Sequence, residues 1–327
     1  MDRRDVVSPR INADGSLTLL CYAPQAQHVY LSGELAQLRG QERWPMTVDG
    51  QGMWSLTIRD MWPGSYSYNF EIEGAVVADP WNLDLKAGLV ANRSLAHVPG
   101  EEAAFYQLKD VPHGTVSINV YRAPALGQLR RATIYTPPGY SELDDAYPVL
   151  YLLHGMGDTE ASWSEVGYAH LILDNLLADG RARPQVVVMP FGHVHYERMI
   201  ERPENNRLIE ASLFQDLLPA VEARYNVRTD REGRAIAGLS MGGGQALTFG
   251  LRHLDRFAWI GGFASAVRED LTGPFEETFG SLIADPGVSN EQIQLLWMRC
   301  GDRDHLIEAN QAFHSFLKQH GIRHTYT

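Results

Sequence analysis

One stretch, Ala237-Gly238-Leu239-Ser240-Met241-Gly242-Gly243-Gly244, limits the possible folds of this chain more than any other. It follows the apolar run Arg234-Ala235-Ile236 and precedes Gln245-Ala246-Leu247-Thr248-Phe249-Gly250-Leu251, so it reads as strand, sharp turn and helix. Glycine two positions before and two after Ser240 removes the side chains that so tight a turn could not hold. A serine on such a turn stands clear of a sheet edge, and the next amide, Met241 N–H, is aimed at any carbonyl the hydroxyl attacks. A strand of this kind needs similar neighbours, and residues 147–153, 185–190 and 295–298 supply runs that are apolar on both faces. Residues 169–177 and 214–221 read as helices between them. Strand and helix in alternation predict a mostly parallel, helix-covered sheet from residue 117 to residue 327.

Residues 1–100 follow a different pattern. Short alternating runs at 16–22, 28–32, 52–58 and 65–72 are separated by turn signals such as Ala23-Pro24 and Trp62-Pro63-Gly64. Such spacing without a helical stretch predicts a small antiparallel sandwich. The mixed-polarity segment 101–116 reads as the linker.

The charge balance, 28 basic against 40 acidic residues, gives a net charge of −12 and argues against nucleic acid or an anionic membrane as partner. No apolar run approaches the ~20 residues that span a bilayer. The first residues, Met1-Asp2-Arg3-Arg4-Asp5, have no apolar segment behind them, so no signal peptide is expected within the sequence. Cys21 and Cys300 each lie in an apolar run and are expected as buried free thiols. The pair His193-Val194-His195 lacks further ligands at metal spacing, so neither metal nor cofactor is expected.

Three features surround the serine chemically. His154-Gly155-Met156-Gly157-Asp158 follows a strand and offers Met156 N–H as a second oxyanion donor, with His154 itself structural. Cys300-Gly301-Asp302-Arg303-Asp304 follows another strand, and Asp302 and Asp304 qualify equally by position as the acid of a catalytic triad. Trp163 is placed either to wall an aromatic acyl group or to serve packing. Trp54 reads as core, Trp62 and Trp81 as turn residues open to solvent or not, and Asp216 and Glu222 as a solvated helix face.

Cys21-Tyr22-Ala23-Pro24, Trp62-Pro63-Gly64-Ser65-Tyr66-Ser67-Tyr68, Ala78-Asp79-Pro80-Trp81-Asn82, Val111-Pro112-His113-Gly114, Tyr135-Thr136-Pro137-Pro138-Gly139-Tyr140, Asp174-Asn175-Leu176 and Met189-Pro190-Phe191-Gly192-His193 join Leu152-Leu153-His154-Gly155 and the serine turn in one pattern. Together they resemble carbohydrate esterases of the feruloyl/acetyl-xylan type, within the esterase D-like α/β-hydrolases. The first domain resembles the glycogen-branching type of carbohydrate-binding module. The resemblance implies an α/β-hydrolase fold preceded by an all-β immunoglobulin-like sandwich. It also implies Asp304 as the acid, Met156 and Met241 as oxyanion donors, and a catalytic histidine on a loop after the last strand.

That histidine is expected beyond Thr327. Of those that follow the acid, His305 adjoins Asp304 and is not expected to turn back onto it. His314 and His320 fall on a helix, and His324 lies about 10 Å short along the last strand. The resemblance implies removal of feruloyl or acetyl groups from xylan through an acyl-enzyme, with a polysaccharide or oligosaccharide ester as the substrate partner. Two other readings stand beside it: an enterochelin-type siderophore esterase, and a non-catalytic polysaccharide-binding relative. A secreted or periplasmic location is expected, with a cytoplasmic one left open, as is the oligomeric state.

Overall fold

Alternating side chains in the first hundred residues pair into two antiparallel sheets. The computed structural model describes residues 6–89, 91–142 and 145–327, which divide into two compact units, Met1–Lys109 and Asp110–Thr327. In the first unit one sheet runs in the order Arg10–Ile11, Leu17–Tyr22, Met53–Ile58, Thr47–Val48. The other runs Arg43–Pro45, Val29–Ser32, Gly64–Ile72, Arg93–Val98, Leu85–Lys86, with Ala75–Val77 also paired to Gly64–Ile72. Leu17, Leu19, Cys21, Leu31, Trp54, Tyr68 and Phe70 form its core. Each large apolar side chain so buried contributes ~1.5–3 kcal/mol.

Trp54 is core, as its alternation predicts, and its Nε1–H donates to Ala23 O at 3.0 Å. Trp62 is 76% exposed, whereas Trp81 is half-buried. One element departs from the expectation of a sandwich without helix: Glu34–Gln37 forms a single helical turn. Gly33, at φ 90°, turns the chain into it, Leu35 and Ala36 are buried, and Glu34 Oε2 accepts the Ser67 N–H at 3.0 Å. The segment 101–116 spans both units, with a 3-10 helix at Glu101–Tyr106 in the first.

The second unit is built on eight strands: β1 Thr115–Ala123, β2 Gln128–Thr136, β3 Val149–Leu153, β4 Val186–Pro190, β5 Arg234–Leu239, β6 Trp259–Phe263, β7 Leu295–Arg299 and β8 Thr325–Tyr326. Their order is β1-β2-β4-β3-β5-β6-β7-β8, with β2 antiparallel to both of its neighbours, β1 and β4, and every other pairing parallel. This is an α/β-hydrolase sheet. Four helices matter for the site: α1 Ala169–Ala178, α2 Arg202–Ser212, α3 Met241–Arg252 and α4 Ile307–Gln319.

Strand β6 is not predicted by its sequence, because Gly261 and Gly262 weaken a strand pattern. The fold needs a glycine there: a Cβ on Gly262 would lie 2.3 Å from Ser265 Oγ and 3.1 Å from Leu247 Cδ1.

Asp216 and Glu222 do not form a solvated face. Helix α2 continues through a π-turn, Leu213–Leu217, which turns Asp216 inward, where its Oδ2 accepts the Ser212 O–H at 2.8 Å. Glu222 pairs with the buried Arg234 at the start of β5. Cys300 is a buried free thiol, like Cys21. No helix among the described residues is long and apolar enough to cross a membrane.

Candidate active site

Ser240 joins β5 to α3 in a backbone conformation that side-chain-bearing residues avoid, φ 53° and ψ −113°. Three backbone hydrogen bonds hold it there. Ser240 N–H donates to Phe263 O at 2.9 Å, while Ser240 O accepts Gly244 N–H at 2.9 Å and Ala266 N–H at 2.8 Å. The flanking glycines are required by space. A Cβ on Gly238 would stand 2.3 Å from Gly242 O, and one on Gly242 would stand 2.5 Å from both Leu153 O and His154 O. These are backbone atoms that cannot step aside.

The same close approach brings the end of β3 against the serine: a Cβ on Gly155 would lie 3.7 Å from Ser240 Cβ. Met241 opens α3, so its N–H has no intrahelical partner and sits at the positive end of the helix dipole. Among the described residues neither the Met241 nor the Met156 N–H has a hydrogen-bond acceptor. Ser240 is half-exposed and its hydroxyl has no protein partner among the described residues. A serine hydroxyl and two unengaged amides therefore lie at the C-terminal edge of a parallel sheet, an arrangement that could receive an ester carbonyl.

Residues 123–319 match the family described as "Putative esterase", and residues 7–83 match "Carbohydrate-binding module 48 (Isoamylase N-terminal domain)". The chain belongs to this esterase family. An endo-1,4-beta-xylanase/feruloyl esterase of Xylanibacter ruminicola is 30% identical to this esterase over 322 residues, covering 96% of it. The esterase spans only 42% of that relative's length. Among solved structures, a ferulic acid esterase of Anaeromyces mucronatus has a TM-score of 0.61 at 23% identity, covering 70% of this chain and 87% of its own. The enterobactin esterase of Shigella flexneri has a TM-score of 0.68 at 20% identity, covering 95% and 86%.

Other residues singled out by sequence fall around the same edge. Asp304 lies in the turn after β7, half-buried, with Oδ1 accepting Leu306 N–H at 2.8 Å, while Asp302 is exposed. His305 does approach its neighbour, with Nδ1 3.4 Å from Asp304 Oδ1, but its side chain is 85% exposed. His314 and His324 bond to each other at 2.8 Å, and His320 bonds to Phe316 O at 2.9 Å. Among the described residues no histidine hydrogen-bonds to Asp304 or to the Ser240 hydroxyl. Thr327 N–H donates to Met298 O at 3.1 Å and its carbonyl accepts Cys300 N–H at 3.3 Å, which seats it beside the turn that carries Asp304.

Trp163 is half-buried and donates Nε1–H to Leu153 O at 2.9 Å, so its ring is fixed at the end of β3. His154 is buried and structural, as expected. His193, which sequence considered as half of a metal pair and as the end of the stretch Met189-Pro190-Phe191-Gly192-His193 but gave no role, is buried under the loop after β3 and accepts Gly157 N–H at 3.2 Å. The available signal was its place just past the C-terminal end of β4, the strand beside β3.

Proposed function

We propose that this esterase is a serine carboxylic-ester hydrolase that removes feruloyl or acetyl groups from xylan. The observation that carries the reading is Ser240, held in a strained turn beside the unengaged amides of Met156 and Met241. Ser240 Oγ attacks the ester carbonyl and the alkoxide oxygen settles between the two N–H groups. Each such donor stabilises the transition state by about 3 kcal/mol. Collapse of the tetrahedral adduct expels the sugar alcohol and leaves an acyl-serine, which water then hydrolyses. Asp304 is the acid proposed to orient the histidine that moves the proton in both steps. Trp163, locked by its indole N–H, is the proposed aromatic wall for the acyl group. The chemistry of these residues calls on no cofactor or metal.

Support for the acyl group and the polymer comes from the Xylanibacter relative and the Anaeromyces structure, whose names state feruloyl and ferulic acid esterase activity. A polymeric substrate favours a secreted or periplasmic enzyme. A siderophore ester is the second reading, favoured by the Shigella enterobactin esterase, whose likeness extends over 95% of the chain. Methyl ferulate, acetylated xylan and enterobactin assayed side by side decide between them. Preference for either of the first two is the expected result, and preference for enterobactin replaces the proposal.

A further inference from the structure

Met156 lies in the turn Gly155-Met156-Gly157, where glycine on both sides leaves the backbone free to rotate. An oxyanion donor must not rotate: a flip of the peptide that joins Gly155 to Met156 would point a carbonyl oxygen, not an N–H, at the developing charge. Both peptide groups flanking the Met156 Cα are held, each by a buried imidazole. His154 Nδ1–H donates to Gly155 O at 2.8 Å, and that carbonyl belongs to the same peptide plane as the Met156 N–H. In a trans peptide the two point in opposite directions, so fixing one fixes the other. His193 Nε2 accepts the N–H of Gly157 at 3.2 Å, which fixes the next plane.

The two rings are 2% and 3% exposed and lie 5.6 Å apart. They are anchored in turn. His154 Nε2 accepts Gly192 N–H at 2.8 Å, and Gly192 O accepts Asn205 Nδ2–H at 3.1 Å and Gln245 Nε2–H at 3.2 Å. Asn205 stands on α2 and Gln245 on α3, the helix that begins at Ser240. A continuous set of bonds therefore links the helix of the nucleophile to the loop of the second donor. Gly192 is closely packed in this arrangement, since a Cβ would meet Gln245 Oε1 and Met241 Cε at 3.3 Å and His154 Cε1 at 3.5 Å.

We infer that His193, together with His154, is a positioning residue that locks the peptide planes on either side of Met156 and so aims the oxyanion donor. The inference rests on the proposed roles of Ser240 and Met156. It requires His193 neutral, because a protonated Nε2 would face the Gly157 N–H donor to donor. Burial holds its pKa down to about 4, aided by His154 on the β3 loop, Arg202 on α2 and Arg130 on β2, with Asp158 acting in the opposite sense.

The test compares His193→Leu, which removes the acceptor, with His193→Gln, whose Oε1 can replace it without titrating. Each is assayed for kcat and KM on the preferred ester, and for affinity toward a boronic acid, which forms a tetrahedral adduct on serine, and toward the product acid. His193→Leu is expected to lower kcat and boronic acid affinity about tenfold or more, with KM and product affinity within about twofold. His193→Gln is expected to recover most of that loss, because its Oε1 accepts the Gly157 N–H in place of Nε2. Should His193→Leu not fold, His193→Met, which fills the space without a strong acceptor for the Gly157 N–H, takes its place, and wild-type kcat and boronic acid affinity in it overturn the inference. A folded His193→Leu with wild-type kcat and boronic acid affinity also overturns it. Ser240→Ala separates the two levels: if it retains turnover, the esterase mechanism itself fails. If it is dead while His193→Leu is unaffected, only the positioning role falls.

Discussion

Replacing Ser240 by glycine should abolish hydrolysis and yet raise stability above that of Ser240→Ala. Both variants lose the hydroxyl, but alanine keeps the Cβ that makes φ 53°, ψ −113° unfavourable. A side-chain-bearing residue in so sparse a region costs about 1–3 kcal/mol, and it stays there because the bonds to Phe263, Gly244 and Ala266 determine the turn. Glycine removes that cost but loses ~0.4–1 kcal/mol through its greater freedom in the unfolded chain. The net expectation is a gain of about 1 kcal/mol over alanine, or a melting temperature about 2–4 °C higher for a unit of roughly 200 residues. Differential scanning calorimetry of the two variants, with both units intact, measures this directly. If the glycine variant melts at or below the alanine variant, the turn stores no strain and the structural argument for a poised nucleophile is wrong.

Further outcomes follow from the polar groups. Asp174 is buried and accepts His113 Nδ1–H at 2.8 Å, Gly114 N–H at 3.0 Å and the Tyr135 O–H at 2.7 Å. Asp174→Ala leaves three donors without an acceptor and is expected to cost about 3 kcal/mol or more in urea unfolding; a change under about 1 kcal/mol would refute the role given to this carboxylate. His193 takes up a proton near its ordinary pKa of 6.5 when unfolded but only near about 4 when folded. Between those values the unfolded chain binds more protons, so stability falls as pH drops and about 3 kcal/mol is lost by pH 4. His193→Gln should flatten that part of the pH–stability curve, and an unchanged slope would show that the ring is not the group responsible. Gly242→Ala forces a methyl group to within 2.5 Å of two carbonyl oxygens and is expected to lower stability by about 3 kcal/mol, read as the same calorimetric transition moving down.

Features encoded within a few adjacent residues were the ones legible in the sequence. Ser240 and its glycines declare a strand–turn–helix because each residue type answers a constraint set by its immediate neighbours. The paired apolar strands β3, β4, β5 and β7 declare a parallel sheet for the same reason. What depends on partners far along the chain did not show. His113 and Asp174 fall in two separate motifs, and only the fold reveals that they bond to each other across 61 positions. Strand β6 carries two glycines that weaken its pattern, yet it is held between β5 and β7, where local propensity is outweighed. Asp216 was misread because a π-turn rotates it inward, a change of phase that no helical periodicity predicts. His193 was judged by the histidine two residues away, whereas its partner is Gly157, 36 positions earlier on the neighbouring strand's loop.

The central claim is that an acyl group passes through the Ser240 oxygen, and it can be read by mass. Incubation with methyl ferulate, acid quenching and peptide mapping should place a feruloyl increment on the peptide that contains Ser240, with no such increment in Ser240→Ala. Hydrolysis of the ester that continues in Ser240→Ala, or an increment on any other residue, would contradict the account.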